Sequence, residues 1–349
     1  MKLMKYTKNV LKVIDDKEII SYNVSGKNGF EFEILNLGGV ITKIMTPDKD
    51  GNLENIVLGY KDVENYIKNP FYYGGLIGRT AGRIYEGKVV IEGKEYDLNK
   101  NYNPHQGHGG YIGFSHKIWD VDVLEENDNI TLKLSSKSYD NEENYPGNVD
   151  VVVYFKIYED YRIEEIYEAV SDKTTLVNMT NHSYFNLSGN IKRPITEQYL
   201  KVDSNSILEL DNTCVPTGKI VNVENTPFDF RAIKCVGKDI DDEHEQIKIG
   251  NGYDHVFLLD DGNNIYIEDR ESKRTMSITT DQKAVVIYSM NSDDELEAYT
   301  GERPKNRFGI CFETQAPPIG RNMCFIDDSI LNKGEIYTQK TIYQFSVKN

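Results

Sequence analysis

The chain contains 349 residues, of which 39% are hydrophobic and 11% are aromatic. This composition is typical of a packed globular protein and excludes a largely disordered chain. The formal net charge of −16 argues against a nucleic acid or an anionic membrane surface as partner, since either requires a basic protein face. The same charge weakly disfavours a phosphorylated substrate, so a neutral ligand is the simpler expectation.

Targeting and redox features favour the cytoplasm. The basic stretch at residues 1–8 is not followed by a long apolar segment, so we expect no signal peptide. No run approaches the roughly 18 apolar residues of a membrane span. The cysteines form no C-x-x-C pair, which disfavours a disulfide framework or a zinc site and favours reduced thiols. They are widely spaced, at Cys214, Cys235, Cys311 and Cys324.

The first half of the chain shows the two-residue alternation of half-buried strands. Residues 30–45 form a strand-like run, and residues 63–69 have the pattern of one or two helical turns. Residues 89–98 predict a hairpin that turns around Glu92 and Gly93. Residues 129–135 alternate apolar and polar side chains, and residues 149–170 predict a second hairpin.

The second half continues the pattern, with strand-like runs at residues 264–267, 275–279, 284–290 and 334–347. Residues 239–245 predict another short helix, in a polar stretch that is typical of a surface loop. Many short strands joined by Gly, Asn and Asp turns predict an all-β fold, a large antiparallel β-sandwich. Because no repeat and no Pro- or Ser-rich linker divides the chain, we expect a single domain over residues 1–349.

A glycine-rich segment, I-G-R-T-A-G-R-I at residues 77–84, resembles a phosphate-binding loop only superficially. It lacks the G-K-[ST] ending, and no strong helix follows it. We instead expect a loop that passes close to a ligand while Arg79 or Arg83 reaches into a cleft. The alternative for each arginine is an ion pair with one of the many acidic residues.

Histidines in polar surroundings are candidates for proton transfer, because imidazole titrates near neutral pH. His182 stands in N-M-T-N-H-S-Y-F-N-L-S-G, after a β-rich run and before a glycine; the alternative is a structural histidine. His108 stands in H-Q-G-H-G-G, where glycines allow a ligand to approach the backbone. His105 and His108 have a metal-site spacing, but zinc needs three or four ligands and no second cluster is visible, so we expect no metal.

Two carboxylates lie beside apolar strand-like runs. Asp254 begins D-H-V-F-L-L, where it can bind sugar hydroxyls or cap a turn. Glu313 follows the apolar run Ile310, Cys311 and Phe312, and a carboxylate buried there is costly unless it is paired or used. Glu313 is therefore a better functional candidate than the glutamates of solvated runs. No serine-hydrolase or nucleophilic-cysteine signature is present.

Taken together in chain order, the motifs resemble those of the galactose mutarotase (aldose 1-epimerase) family along nearly the whole chain. Each motif is weak alone, but their order is specific. The motifs are P-D-K-D-G at 47–51, N-I-V-L-G-Y at 55–60, G-R-T-A-G-R-I at 78–84, H-G-G at 108–110, Y-P-G-N at 145–148, T-N-H-S-Y-F-N-L at 180–187, P-T-G at 216–218, T-P-F-D-F-R at 226–231, Y-D-H-V-F-L at 253–258 and F-E-T-Q at 312–315.

The resemblance implies interconversion of the α and β anomers of free hexoses such as galactose and glucose, without cofactor or metal, on a supersandwich fold. It implies that Glu313 takes the proton of the C1 hydroxyl and that His182 protonates the ring oxygen, although His108 is left open for the latter role. The positions implied to contact the sugar are His108, Arg83, Asp254 and, as a weaker match, Gln282. The expected partner is a small free aldohexose, bound by a monomer or homodimer.

The chain departs from the family pattern at two places. Gly82 stands where the family commonly has Asn, which removes one hydrogen bond to the sugar, and Ala316-Pro317-Pro318 replaces an aromatic-containing continuation. Neither change touches the implied acid and base, but both bear on sugar preference. If loss of the asparagine side-chain amide is the only effect of having Gly82, Gly82→Asn is expected to lower KM for at least one hexose.

Three other functions compete with the implied one. A non-catalytic carbohydrate-binding sandwich would use aromatic walls but needs neither acid nor base. A hexose-6-phosphate 1-epimerase would need further cations beside Arg79 and Arg83. A glycoside hydrolase needs a pair of carboxylates, which Asp254 and Glu313 could supply.

Overall fold

The structure, a computed structural model, describes residues 4–260 and 264–348. These residues form short strands joined by turns, with two helices of one or two turns. The strands are β1 (Met4–Ile14), β2 (Lys17–Gly26), β3 (Glu31–Leu35), β4 (Ile41–Pro47), β5 (Leu53–Asn55), β6 (Leu76–Ile77), β7 (Arg83–Ile84), β8 (Lys88–Ile91), β9 (Lys94–Asp97), β10 (Gln106–Gly107), β11 (Asp120–Glu125), β12 (Asn129–Ser138), β13 (Val149–Tyr158), β14 (Arg162–Ser171), β15 (Thr175–Leu176), β16 (Thr180–Asn181), β17 (Tyr184–Phe185), β18 (Tyr199–Val202), β19 (Ser206–Leu210), β20 (Pro216–Asn222), β21 (Lys234–Cys235), β22 (Asp254–Leu258), β23 (Asn264–Glu268), β24 (Arg274–Thr280), β25 (Ala284–Tyr288), β26 (Ile310–Gln315), β27 (Ile330–Leu331) and β28 (Ile336–Val347).

The helical segments are short and lie in the connections. The two helices are α1 (Asn65–Lys68) and α2 (Glu245–Gly250), and the single 3₁₀ turns are Tyr85–Gly87, Phe114–His116, Glu142–Asn144, Ile195–Glu197, Val236–Lys238, Arg321–Met323 and Ile326–Asp328. None of the helices in the described part of the chain has the length and apolarity that crossing a bilayer requires.

Three antiparallel sheets build the sandwich. A nine-stranded sheet runs in the order β11-β12-β13-β14-β28-β24-β23-β18-β21, and a six-stranded sheet runs β17-β26-β25-β22-β19-β20. A five-stranded sheet contains β1 to β5 in sequence order. The chain therefore crosses between sheets several times, and strands far apart in sequence become neighbours.

The nine-stranded sheet packs against both of the other sheets. Phe155 on β13 contacts Phe32 on β3, with ring centroids 5.5 Å apart. Tyr343 on β28 contacts Phe185 on β17, with ring centroids 5.8 Å apart. All four side chains belong to one buried hydrophobic cluster to which the three sheets contribute. Burial of a large apolar side chain stabilises the fold by roughly 1.5–3 kcal/mol, so this shared core holds the layers together.

The sequence pattern explains why these strands form. In β13, Val149, Val151, Val153, Phe155 and Ile157 are buried, and the residues between them are exposed or half-buried. Because successive side chains of a strand point to opposite faces, this alternation buries one face of the sheet. The all-β sandwich predicted from the sequence is confirmed, as are the hairpins β8–β9 and β13–β14.

Two strands were missed, one helix prediction needs correction, and the domain prediction stays open. β1 and β2 were not predicted, and the second short helix, predicted over residues 239–245, runs from Glu245 to Gly250 and shares only Glu245 with the predicted range. The His244 imidazole accepts a hydrogen bond from the Gln246 amide and so caps the helix at that point. The single domain over residues 1–349 stays a prediction, and its residues 1–3, 261–263 and 349 lie outside the described residues.

Candidate active site

The outer face of the six-stranded sheet forms the base of a pocket. Val286 pairs with both Val256 and Glu313, and Tyr288 pairs with both Asp254 and Cys311, so these side chains lie in two adjacent rows across β22, β25 and β26. Their neighbours along each strand, such as Phe312, point into the core. Because successive side chains of a strand point to opposite faces, Glu313 points into the pocket while the neighbouring Phe312 anchors the strand in the core.

The register of β17 brings His182 to Glu313. Tyr184 pairs with Cys311 and Phe185 with Ile310, and continuing this pairing by two residues places His182 opposite Glu313. The His182 amide donates to the Gly75 carbonyl (2.9 Å), and its carbonyl accepts from the Gly74 amide (3.0 Å). Residues 74 and 75 therefore hold both the amide and the carbonyl of His182.

Loops close the pocket around this sheet face and leave a cavity of about 320 Å³. This volume lies at the small end of ligand sites, which are typically about 300–1,000 Å³. Aromatic side chains supply much of the wall, at Phe71, Tyr72, Tyr102, Tyr184 and Tyr288. Such walls suit the apolar faces of a sugar ring, while polar groups between them can bind its hydroxyls.

His182 and Glu313 face each other at the base of the cavity. His182 Nε2 lies 3.4 Å from Glu313 Oε1, and their side chains are only 6% and 3% exposed. The imidazole stacks between Tyr72 and Tyr184, with centroid separations of 5.9 and 5.1 Å. On its other side, Nδ1 lies 3.6 Å from Cys311 Sγ. The ring orientation is therefore fixed by packing, and Nε2 is directed toward the carboxylate.

Burial shifts both groups away from their charged forms. It raises the pKa of Glu313 to about 8, with a further increase from Asp254 and an opposing effect of Arg83. It lowers the pKa of His182 to about 4. Desolvation disfavours an ionised acid and a protonated imidazole alike. Both shifts favour the uncharged pair, a protonated Glu313 carboxyl beside a neutral His182 imidazole.

Arg83 and Asp254 form a second polar pair at the wall. Arg83 Nη1 and Nη2 each lie 3.5 Å from Asp254 Oδ2, and Nη1 also donates to the Cys214 carbonyl at 3.3 Å. The guanidinium lies over the Tyr102 ring, 5.6 Å from its centroid. The contacts with Asp254 are long, so both groups keep hydrogen-bonding capacity for a ligand. Arg83 is thus the arginine of the glycine-rich loop that reaches the cleft.

Arg79, the other arginine of that loop, lies away from the pocket. It is buried and donates to the backbone carbonyls of Pro146, Tyr139 and Gly147, as well as to the Ser138 hydroxyl. These bonds fix the loop over residues 139–147 instead of binding a ligand. Neither a cleft position nor the alternative of an ion pair describes it, since its hydrogen-bond partners are mainly carbonyls.

The histidines of H-Q-G-H-G-G have different surroundings. His108 lies beside His182, with ring centroids 5.4 Å apart, and its Nδ1 is buried without a hydrogen-bond partner. Burial, followed by His182 and Arg83, lowers its pKa well below the ordinary value. His105 points elsewhere, with hydrogen bonds to the Glu86 amide and the Thr213 hydroxyl. One potential ligand atom from each of His108, His182 and Glu313 lies within 4.8 Å of the other two.

Gly82 lines the pocket and contacts Pro318, the second departure from the family pattern. Its φ is +72°, and a Cβ at this position would lie 2.6 Å from both Cβ and Cγ of Pro318. The structure argues against the expectation that an asparagine here would simply add a hydrogen bond, because its Cβ meets the proline ring. Gly82 adopts a left-handed backbone conformation, and its lack of a side chain leaves the space that Pro318 occupies.

The structure places Gln282 in a turn outside the pocket, and its contact with the sugar stays a prediction. It lies between β24 and β25, where its side chain donates to the Asp281 carboxylate and its amide to the Thr280 hydroxyl. It does not line the cavity. The turn between these strands lies at the end of the sheet where Ala284 begins β25, whereas the site is at Val286 and Tyr288.

Several pocket residues were missed by sequence reasoning. Tyr184 follows His182 by two residues and so shares its strand face, which the period of two could have indicated. Tyr288 ends an otherwise apolar strand, and Cys214 and Pro216 come from outside the strands that hold His182 and Glu313. The latter two carry no local signal, because their position depends on how distant segments fold over the sheet.

Comparisons with known proteins agree with the sequence resemblance. The family model described as aldose 1-epimerase matches residues 21–344. The galactose mutarotase of Rattus norvegicus is 33% identical over 320 residues, which cover 90% of this chain and 91% of that protein. The aldose 1-epimerase of Streptococcus thermophilus is 28% identical over an alignment of 352 positions, which covers 98% of this chain and 99% of that protein.

A solved structure shares the whole architecture. The galactose 1-epimerase of Lactobacillus acidophilus superposes with a TM-score of 0.90 at 26% identity, and the match covers 99% of this chain and 100% of that chain. The family model spans most of the sequence, and the fold agrees over nearly its full length. The chain belongs to the aldose 1-epimerase family.

Proposed function

We propose that this protein interconverts the α and β anomers of free aldohexoses such as galactose and glucose. The observation that carries the proposal is the buried pair His182–Glu313, 3.4 Å apart, at the base of a pocket with aromatic walls. Opening a hemiacetal ring requires one proton to be removed and one to be delivered. A pair that holds one proton between them is matched to this requirement.

The proposed reaction is balanced within the pair and the sugar. Glu313 takes the proton of the C1 hydroxyl, and the C1 oxygen becomes a carbonyl as the bond between C1 and the ring oxygen breaks. His182 donates a proton to that ring oxygen. After rotation about the C1–C2 bond, both transfers reverse on the other face of C1. Each positioned acid or base typically contributes about 10²–10⁴-fold to such a step.

Sugar binding itself selects the productive proton position. The C1 hydroxyl is a donor and favours a carboxylate acceptor at Glu313, whereas the ring oxygen can only accept and favours a protonated His182. The proton that rests on Glu313 in the empty site is thus drawn to His182 when the sugar occupies the pocket. His108, beside His182, is placed to bind an adjacent hydroxyl and is the alternative donor to the ring oxygen.

The charges of the pocket favour a neutral sugar. Among the described residues, Arg83 is the sole lysine or arginine that lines the cavity, and Asp254 lies beside it. A phosphate dianion normally requires several cationic or backbone donors. Since Arg79 binds backbone carbonyls elsewhere, nothing in the pocket favours a hexose phosphate.

The same pair weighs against a carbohydrate-binding module without catalysis. Keeping a carboxyl group buried with its pKa raised to about 8 opposes folding at neutral pH. A module that only binds sugar could use hydroxyls and amides at that position without this cost. A costly, perturbed acid beside an imidazole in a cleft is typical of a catalytic site.

Polarimetry tests the proposal directly. Freshly dissolved α-galactose and α-glucose should approach their equilibrium rotation faster with the protein than without it, in proportion to protein concentration. Galactose 6-phosphate serves as the charged control and should be accelerated much less. Unchanged relaxation of every free aldohexose at high protein concentration would refute the proposal.

A further inference from the structure

Three side chains at the base of the pocket have the composition of a transition-metal site. His108, His182 and Glu313 supply two imidazoles and a carboxylate, and one donor atom of each lies within 4.8 Å of the others. Imidazole and carboxylate are the ligands that zinc prefers besides thiolate. The roles proposed above for these residues require proton transfer and sugar binding, not a metal.

The separation within the pair already fits zinc. Bonds of about 2.0–2.2 Å at tetrahedral angles place two ligand atoms roughly 3.3–3.5 Å apart. His182 Nε2 and Glu313 Oε1 lie 3.4 Å apart. His108 then needs only a shift of its ring to complete three ligands, and the open cavity leaves the fourth position to water.

The donor atoms make few contacts that would compete with a cation, and zinc binding displaces the proton of the Glu313 carboxyl. His108 Nδ1 is buried and has no hydrogen-bond partner, so coordination through this ring would break no existing bond. Within residues 4–260 and 264–348, no hydrogen bond engages the Glu313 carboxylate, whose contact is the one with His182. Burial lowers the pKa of both imidazoles and so favours their neutral form, which is the form that binds metals. The stacking of His182 between two tyrosines fixes one ligand in advance.

We propose that this pocket binds one zinc ion through His108, His182 and Glu313, and that the ion excludes the sugar and inhibits the protein. Coordination uses the Nε2 and carboxylate lone pairs that proton transfer requires. The ion also occupies the space where the sugar's anomeric centre must lie. Zinc and hexose should therefore compete for one site. The inhibitory part of this inference rests on the proposed function, whereas the binding part does not.

Calorimetric titration of the chelator-treated protein with zinc chloride tests the binding part. We expect one high-affinity site, and saturating galactose should weaken the apparent affinity. His108→Gln and Glu313→Gln should each weaken zinc binding by at least roughly tenfold. Magnesium chloride should not bind there, because Mg²⁺ prefers all-oxygen, octahedral ligation.

His244→Gln is the matched control, since His244 is half-buried at the start of α2 and outside the pocket. This variant should keep both the activity and the affinity for zinc. Zinc binding that survives His108→Gln and Glu313→Gln, or that His244→Gln abolishes, would overturn the proposed ligand set. The circular dichroism spectra of the variants must match the parent, and His108→Asn replaces any variant that fails to fold.

Inhibition is measured separately by polarimetry. Zinc chloride should raise KM for galactose without lowering kcat, and a chelator should restore the original rate. Activation by zinc, or inhibition that galactose cannot relieve, would refute the competitive site. If the protein shows no mutarotation at all, the calorimetric result still stands, so failure of the proposed function and failure of the zinc site are distinguishable.

Discussion

Gly82 and Pro318 fit together as one unit in the pocket wall: a Cβ on Gly82 would lie 2.6 Å from both Cβ and Cγ of the proline. Gly82 also has a φ of +72°, in the left-handed region that asparagine tolerates only with a penalty. Gly82→Asn should therefore destabilise the fold by roughly 2–4 kcal/mol, about 1 kcal/mol from the backbone and the rest from overpacking. KM should rise, because both residues line the cavity.

Two further variants separate these causes in thermal denaturation and polarimetry. Gly93→Asn has a similar φ of +77° with no atom within 4 Å of the added Cβ, so it should show the backbone penalty alone. Adding Pro318→Gly to Gly82→Asn should recover much of the lost stability. A Gly82→Asn protein that is as stable as the Gly93→Asn control, with a lower KM, would show that the missing amide is the dominant effect.

The pH profile should follow the shared proton of His182 and Glu313. Above about pH 8 the pair loses its only proton, because that is the raised pKa of Glu313. Below about pH 4 both groups are protonated, because that is the lowered pKa of His182. We expect kcat/KM, corrected for spontaneous mutarotation, to be flat between these limits and to fall about tenfold per pH unit outside them. These limits belong to the pair as a whole. A profile that already falls through a pKa of 6.5, the ordinary value of an imidazole, would contradict this expectation.

The sequence predicted the strands that have one buried face and one solvent-exposed face. β13 and β14 alternate clearly, and their hairpin was located to within a residue or two. β1 was missed because most of its side chains are exposed on both faces, so no period-two signal exists. β1 pairs with β2 through backbone hydrogen bonds, which place few requirements on the identity of the side chains.

The candidate site was predictable in its parts and not in its assembly. Motifs identified His182, Glu313, Arg83 and Asp254, yet the contact between His182 and Glu313 depends on the pairing of β17 with β26, which are more than a hundred residues apart in sequence. The sequence did not show which of Arg79 and Arg83 reaches the pocket, because an irregular loop has no periodic pattern that indicates where each side chain points. Gln282 lies outside the pocket lining, since a motif match carries no information on which end of a strand faces a pocket.

A buried acid outside the site should make stability depend on pH. Burial raises the pKa of Glu165 to about 7, although the Tyr167 hydroxyl donates to it at 2.5 Å. In the unfolded chain the pKa of Glu165 returns to its ordinary value of 4.5. The folded protein therefore binds this proton more tightly than the unfolded chain does. The contribution of Glu165 to the free energy of unfolding should therefore fall by about 3 kcal/mol as the pH rises from 4.5 to 7.

Glu165→Gln removes this dependence because an amide does not titrate. Urea denaturation at several pH values should show the variant gaining on the parent between pH 4.5 and 7, with unchanged mutarotation. Glu168→Gln, on the outer face of β14, is the matched control. Parallel stability curves for the parent and Glu165→Gln would contradict a titration of Glu165 in this range.

Metal removal should not reduce activity. The proton transfers proposed for His182 and Glu313 use no Lewis acid, and zinc is expected only as an inhibitor. Dialysis against a strong chelator should leave kcat unchanged or raise the measured rate, as followed by polarimetry. A loss of activity that zinc or manganese restores would make the metal a cofactor and would assign a new role to His108.

The catalytic pair gives the most demanding prediction, since reversible ring opening needs both proton transfers in each direction. Glu313→Gln is near-isosteric and cannot accept the C1 proton, so kcat should fall by roughly 10²-fold or more. His182→Asn should have a similar effect. Because the two groups act as a unit, the double variant should be little worse than the poorer single variant. His108→Asn should mainly raise KM; if it lowers kcat more than His182→Asn does, His108 is the group that protonates the ring oxygen. Retention of activity in Glu313→Gln would exclude Glu313 as the base and leave Asp254 as the remaining carboxylate of the pocket.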